Sequence, residues 1–122
     1  MNTPHRILVV EDDILIGTHI ADTLNDSGYT SELVCSLAEA EAAVASTRYD
    51  VVVLDFRVGH EASLDFAKGM AANGTPFLFC TGSIEEEVHA FLREAVVVTK
   101  PFRDEELTAA VARVLAGSCV EA

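Results

Sequence analysis

Short apolar runs that close on a chemically useful polar residue constrain this chain more than any other feature. Residues 6–11 read RILVVE and lead into Asp12-Asp13, and residues 51–54 read VVVL and lead into Asp55. After Pro76 the sequence FLFCT ends at Thr81, and residues 95–99 (AVVVT) lead into Lys100. Near-continuous apolar runs this short fit strands buried on both faces rather than strands with one wet face. Residues 30–35 (TSELVC) read as a weaker strand, second in chain order, which makes 95–99 the fifth.

Helical patterns fill the gaps. Ile16, Ile20 and Leu24 recur every four residues, and Gly28 stands where a helix stop is expected. Ser36 opens a second helix, with Glu39 three residues on as in a capping box; Leu37, Ala40, Val44 and Ala45 line its apolar face. Residues 56–62 (FRVGHEA) read as a loop, and a helix over about 63–73 stops at Asn73-Gly74. Ser83 and Glu86 repeat the capping spacing ahead of Ile84, Val88, Phe91 and Leu92. A last helix carries Leu107, Ala110, Val111, Val114 and Leu115, with Gly117 after it. Five strands, each followed by a helix, predict an α/β fold with a doubly wound parallel sheet and right-handed crossovers.

The 122 residues make one domain, with a core over about 6–116. Twenty Asp+Glu against eight Lys+Arg give a formal net charge of -12, which argues against nucleic-acid and anionic-membrane surfaces. It suits a bound cation or a partner with a basic patch. No apolar stretch reaches the length of about 20 residues needed to span a bilayer, and the N-terminus lacks a signal-peptide core, so the expected location is cytoplasmic. Cys35, Cys80 and Cys119 lack CxxC spacing and imply neither a disulfide framework nor a zinc site.

In a doubly wound sheet, ligands bind beyond the carboxyl ends of the strands. Those ends carry Glu11-Asp12-Asp13, Asp55, Thr81-Gly82-Ser83 and Thr99-Lys100. Converging carboxylates repel, and a divalent cation relieves them; Mg2+ suits oxygen ligands with water retained. A carboxylate can also attack phosphorus to form an aspartyl phosphate, a step that needs mainly positioning and charge stabilisation. Read plainly, the acidic run is a solvated strand–helix junction with Asp13 as the cap. Asp55 and Lys100 at matching ends favour the chemical reading.

With ILVVEDD at 7–13, VVVLD at 51–55, CTG at 80–82 and KPF at 100–102, in order and at strand ends, the chain resembles a response-regulator receiver domain of two-component signalling. The resemblance implies the (βα)5 flavodoxin-like fold, strand order 2-1-3-4-5. It implies Asp55 as phosphoacceptor, with Thr81 and Lys100 as phosphoryl-contacting residues. Mg2+ would be held by Glu11, Asp12, Asp55 and the backbone carbonyl of Arg57, and Lys100-Pro101 would be cis. The implied partners are a sensor histidine kinase or phosphotransfer protein and a downstream protein target, with no nucleic acid and no membrane. The docking face would lie around Ile14, Leu15 and Thr18. The signalling face would lie near Glu85-Glu86-Glu87, Arg93, Arg103 and Arg113.

The chain departs from the family pattern in places. The usual Pro-Gly pair after the acceptor is replaced by Phe56-Arg57-Val58-Gly59-His60, and the usual strand-five aromatic by Val97. PFLFCTG is similar to a receiver subgroup with a Phe-Ala-Thr-Gly motif on strand four that also lacks that aromatic. Arg57 either reaches the phosphoryl group or points to solvent. His60 is assigned no phosphotransfer, because receivers take phosphate on aspartate. The expected activity is self-phosphorylation and slow autodephosphorylation, not turnover as an enzyme, with no output domain. The alternatives are a non-phosphorylated pseudo-receiver binding module and a small Mg2+-dependent phosphatase. A phosphatase of that class wants an acid two residues after its nucleophile, where this chain has Arg57.

Overall fold

A computed structural model describes residues 4–59, 61–82 and 96–120. The elements run β1 (Arg6–Val10), α1 (Ile14–Asp26), β2 (Thr30–Val34), α2 (Leu37–Ser46), β3 (Val51–Leu54), β4 (Arg57–Val58) and β5 (Glu61–Ala62). They continue with α3 (Leu64–Asn73), β6 (Phe77–Thr81), β7 (Val97–Thr99) and α4 (Asp104–Val120). The main sheet is parallel throughout in the order β2-β1-β3-β6-β7. This is the expected flavodoxin-like order once the small β4-β5 pair is set aside. The helix read over Ser83–Leu92, and with it Glu85, Glu86, Glu87, His89 and Arg93, lies outside the described residues, as does His60.

The apolar runs are continuous because both faces of the sheet are covered. Side chains alternate across a strand, so each run divides between two clusters. Ile7, Val9, Val51, Val53, Leu78, Cys80 and Val98 pack with Ile20 and Leu24 of α1 and Leu107, Ala110 and Val111 of α4. Leu8, Val10, Val52, Leu54 and Phe79 face the other way, toward Ala40 of α2, Ala67 and Met70 of α3, and Phe56 and Val58. Each fully buried aliphatic or aromatic side chain contributes roughly 1.5–3 kcal/mol relative to exposure.

Local chemistry sets the helix ends. Asp13 caps α1, its Oδ1 accepting from the amides of Leu15 at 3.0 Å and Ile16 at 3.2 Å. Ser36 Oγ accepts from the Glu39 amide at 3.1 Å, while Glu39 Oε1 reaches one residue past the cap to the Cys35 amide at 2.8 Å. Gly74 ends α3 at φ 76. Gly117 does not end α4, which continues to Val120, because it does not take the positive φ that terminates a helix. On α2, Ala45 is exposed and Ala43 packs against the core instead. The loop expected over 56–62 contains an antiparallel pair, Arg57 opposite Ala62 and Val58 opposite Glu61.

Gly17 lets α1 sit close to the end of the sheet. A Cβ there would lie 2.6 Å from Leu33 Cδ1 and 3.4 Å from Glu11 Cβ. A branched side chain has no room without moving both neighbours, and overpacking of this kind costs about 1–3 kcal/mol. Gly17→Val is therefore expected to lower the urea midpoint by a corresponding amount, with an unchanged slope.

Candidate functional site

The strand order brings the polar strand ends to one rim. β1 and β3 are neighbours, so the residues that follow them meet: the Asp55 amide donates to the Val10 carbonyl at 3.2 Å, while the Glu11 amide extends the β1-β2 pairing to the Val34 carbonyl at 3.1 Å. One carboxylate oxygen from each of Glu11, Asp12 and Asp55 lies within 4.8 Å of the other two. Lys100 follows β7, two strands from β3, and its long stem reaches across β6. Its Nζ donates to Glu11 Oε1 at 2.6 Å and to Asp55 Oδ2 at 2.8 Å. Glu11 Oε2 also accepts from the Asp13 amide at 3.1 Å.

These contacts are shielded. The side chains of Glu11, Asp55 and Lys100 are 3%, 12% and 17% exposed. Burial raises the Glu11 pKa, and the hydrogen bonds from Lys100 and the Asp13 backbone only partly offset it. Burial pushes Lys100 down, but hydrogen bonds and charge from Asp55 and Glu11 outweigh it and hold the ammonium above its ordinary value. Three carboxylates against one ammonium leave an excess negative charge. That excess, presented by oxygen atoms on three residues, fits a hard divalent cation that keeps part of its water.

Thr81 ends β6 and is 4% exposed. Its carbonyl accepts the Lys100 amide at 3.0 Å, and it is paired in register with Thr99. Lys100-Pro101 is cis. Val97, at the position of the family aromatic, packs against the cluster that holds Phe56 and Phe79. Arg57 is exposed, its guanidinium 5.7 Å from the Phe56 ring centroid, while its amide approaches Asp55 Oδ1 at 3.3 Å. Ile14 and Leu15, 62% and 80% exposed, stand at the start of α1 just past the acidic run. A cleft of about 920 Å3 at the opposite pole, lined by Tyr49, Asp50 and Thr75 among others, contains none of these acids.

One residue here escaped the sequence reading. Ser63 is fully buried, and its hydroxyl donates to the carbonyls of Asp55 at 2.7 Å and Phe56 at 2.8 Å. In sequence it is simply a serine at the start of a helix.

Paired acids, a separate aspartate and a lysine thus meet at the C-terminal rim of a doubly wound, flavodoxin-like sheet. The chain belongs to the response-regulator receiver family: residues 7–112 match the family described as Response regulator receiver domain. It is 34% identical over 111 residues to the response regulator protein PmrA of Pseudomonas aeruginosa, covering 87% of this chain and 50% of that protein. It is 31% identical over 111 residues to the transcriptional regulatory protein DltR of Streptococcus agalactiae, covering 87% of this chain and 50% of that protein. The chain thus spans about half the length of these curated relatives. Among solved structures it resembles the chemotaxis response regulator CheY4 of Vibrio cholerae, with TM-score 0.82 and 29% identity, covering 93% of this chain and 100% of that one. It also resembles the non-phosphorylated HemR receiver domain of Leptospira biflexa, with TM-score 0.79 and 31% identity, covering 93% and 95%.

Two outcomes follow from the site's electrostatics. Lys100→Met leaves Glu11 buried beside Asp55 with no cation, a loss of roughly 3 kcal/mol in metal-free buffer at neutral pH. A carboxyl with a raised folded pKa contributes stability below its unfolded pKa and loses it as pH rises through the folded one. Part of the deficit should therefore return in mildly acidic buffer, as read by urea unfolding across pH. Burial pushes the Cys80 thiol up to about 12. Because the thiolate is the nucleophile, iodoacetamide should label Cys80 only after unfolding, and peptide mass mapping reads this directly.

Proposed function

We propose that this receiver accepts a phosphoryl group on Asp55 from the phosphohistidine of a sensor histidine kinase or phosphotransfer protein. An Asp55 carboxylate oxygen attacks phosphorus while the phosphorus–nitrogen bond breaks, and its electron pair returns to the departing imidazole. The observation that carries this reading is the Lys100 ammonium, 2.8 Å from Asp55 and 2.6 Å from Glu11, placed to meet charge on the transferring group. Thr81 adds a hydroxyl at the neighbouring strand end. Mg2+ held by Glu11, Asp12, Asp55 and the Arg57 backbone carbonyl would neutralise phosphoryl oxygens and orient the incoming group.

Loss of the phosphoryl group is slow hydrolysis rather than enzymatic turnover. Two residues after the acceptor stands Arg57, which cannot serve as the general acid–base that a phosphatase of this type requires. Output passes through protein contacts made by the receiver, to a separate target or to an attached output region such as a transcriptional regulatory protein carries. No helix among the described residues is long and apolar enough to cross a membrane, and we place the protein in the cytoplasm. With Val97 half-buried against the Phe56–Phe79 cluster, the phosphorylated state is transmitted without a swinging aromatic on β7.

Incubation with acetyl phosphate and Mg2+ should add one phosphoryl group by intact mass, and none to Asp55→Asn. An unchanged mass in the wild-type protein favours the pseudo-receiver alternative, and multiple turnover of a small phosphate ester favours the phosphatase. Mg2+ should also raise the melting temperature, since a ligand at 100 times its Kd stabilises by about 2.7 kcal/mol. The increase should be smaller in Asp12→Asn.

A further inference from the structure

Ser63 occupies the N-cap position of α3 but does not cap it: its φ and ψ are -94° and 12°, and its side chain accepts no amide from the first turn. A serine there ordinarily accepts from the N2 or N3 amide, contributing about 1 kcal/mol to the helix. Here the hydroxyl turns back along the chain and donates to Asp55 O at 2.7 Å and Phe56 O at 2.8 Å. The Ser63 amide adds a further bond to Phe56 O at 2.7 Å. The Ser63 side chain is fully buried, its bond to the Phe56 carbonyl is buried and that to the Asp55 carbonyl partly so, which limits competition from water. The helix forgoes its cap, and the backbone of Asp55-Phe56 gains a clamp.

Between the clamp and the acceptor lies the short β4-β5 pair, which replaces the Pro-Gly turn of the family. A proline would stiffen such a turn by fixing φ. This chain has no proline between Asp55 and Ser63. The loop is stiffened instead at its far end, where Ser63 ties it to its own beginning.

We propose that Ser63 is a positioning residue for phosphoryl transfer. Its hydroxyl fixes the peptide units at Asp55-Phe56, and through them the aim of the Asp55 carboxylate and the placing of Arg57. The inference rests on the reading of Asp55 as phosphoacceptor. It adds a residue eight positions downstream that never touches the phosphoryl group.

Ser63→Ala removes the donor. Ser63→Thr and Ser63→Val are nearly isosteric and differ in the hydroxyl alone, so they separate hydrogen bonding from packing. Phosphorylation by acetyl phosphate in Mg2+, followed by intact mass, is expected to slow roughly ten- to a hundredfold in Ser63→Ala, since small misplacements of reacting groups cost that much. The loss should fall on the rate at saturating acetyl phosphate, not on the concentration giving half that rate. Ser63→Thr should exceed Ser63→Val by a similar factor. Amide hydrogen exchange at Asp55–Val58 should quicken in the variants lacking the hydroxyl. A wild-type rate in Ser63→Ala, or equal rates for the threonine and valine variants, overturns the proposal even if melting temperatures move.

Failure of the acceptor reading itself would show separately, as no Asp55-dependent mass gain in wild type. Direct titration with Mg2+ followed by amide chemical shifts then decides the role of Ser63. Weaker binding in Ser63→Ala supports the clamp, and unchanged affinity overturns it.

Discussion

The Lys100 ammonium, held between Glu11 and Asp55, is the interaction on which the rest of the site depends. It joins the ends of three strands that are not all adjacent, because β6 lies between β7 and β3. Only a long flexible cationic side chain spans that gap. Its two short bonds keep a nearly buried glutamate beside an aspartate without forcing either apart. Yet one positive charge cannot balance three carboxylates. The rim therefore keeps an excess of negative charge at the carboxyl ends of the strands.

Much of this was legible because it is local or periodic. The VVVL and FLFCT runs announce strands buried on both faces, and their closing residues announce the rim. Asp13 caps α1 as the sequence suggested, and the cis Lys100-Pro101 bond agrees with the family resemblance. Other features left no periodic trace. Two-residue strands such as Arg57–Val58 and Glu61–Ala62 are too short to alternate visibly, so they read as loop. Gly117 looks like a helix stop, but a glycine stops a helix this way only where the chain takes positive φ, and Gly117 does not. Ser63 resembles any helix cap, because the carbonyls it serves lie seven and eight residues back.

The departures from the family pattern cluster around the acceptor and the switch rather than the acids and the lysine. Val97 fills its space against the Phe56–Phe79 cluster, and the β4-β5 pair occupies the place of the Pro-Gly turn. The acids and the lysine match the family motifs, while the residues around them differ.

The division of each strand between two apolar layers has a consequence for how such sequences diverge. Val9 and Val53 share one layer with α1 and α4, whereas Val10 and Leu54 share the other with α2 and α3. Neighbours along the chain thus belong to different packing communities. Compensating changes among descendants should pair residues within one layer, so that the two halves of the core wander almost independently beneath a common acidic edge.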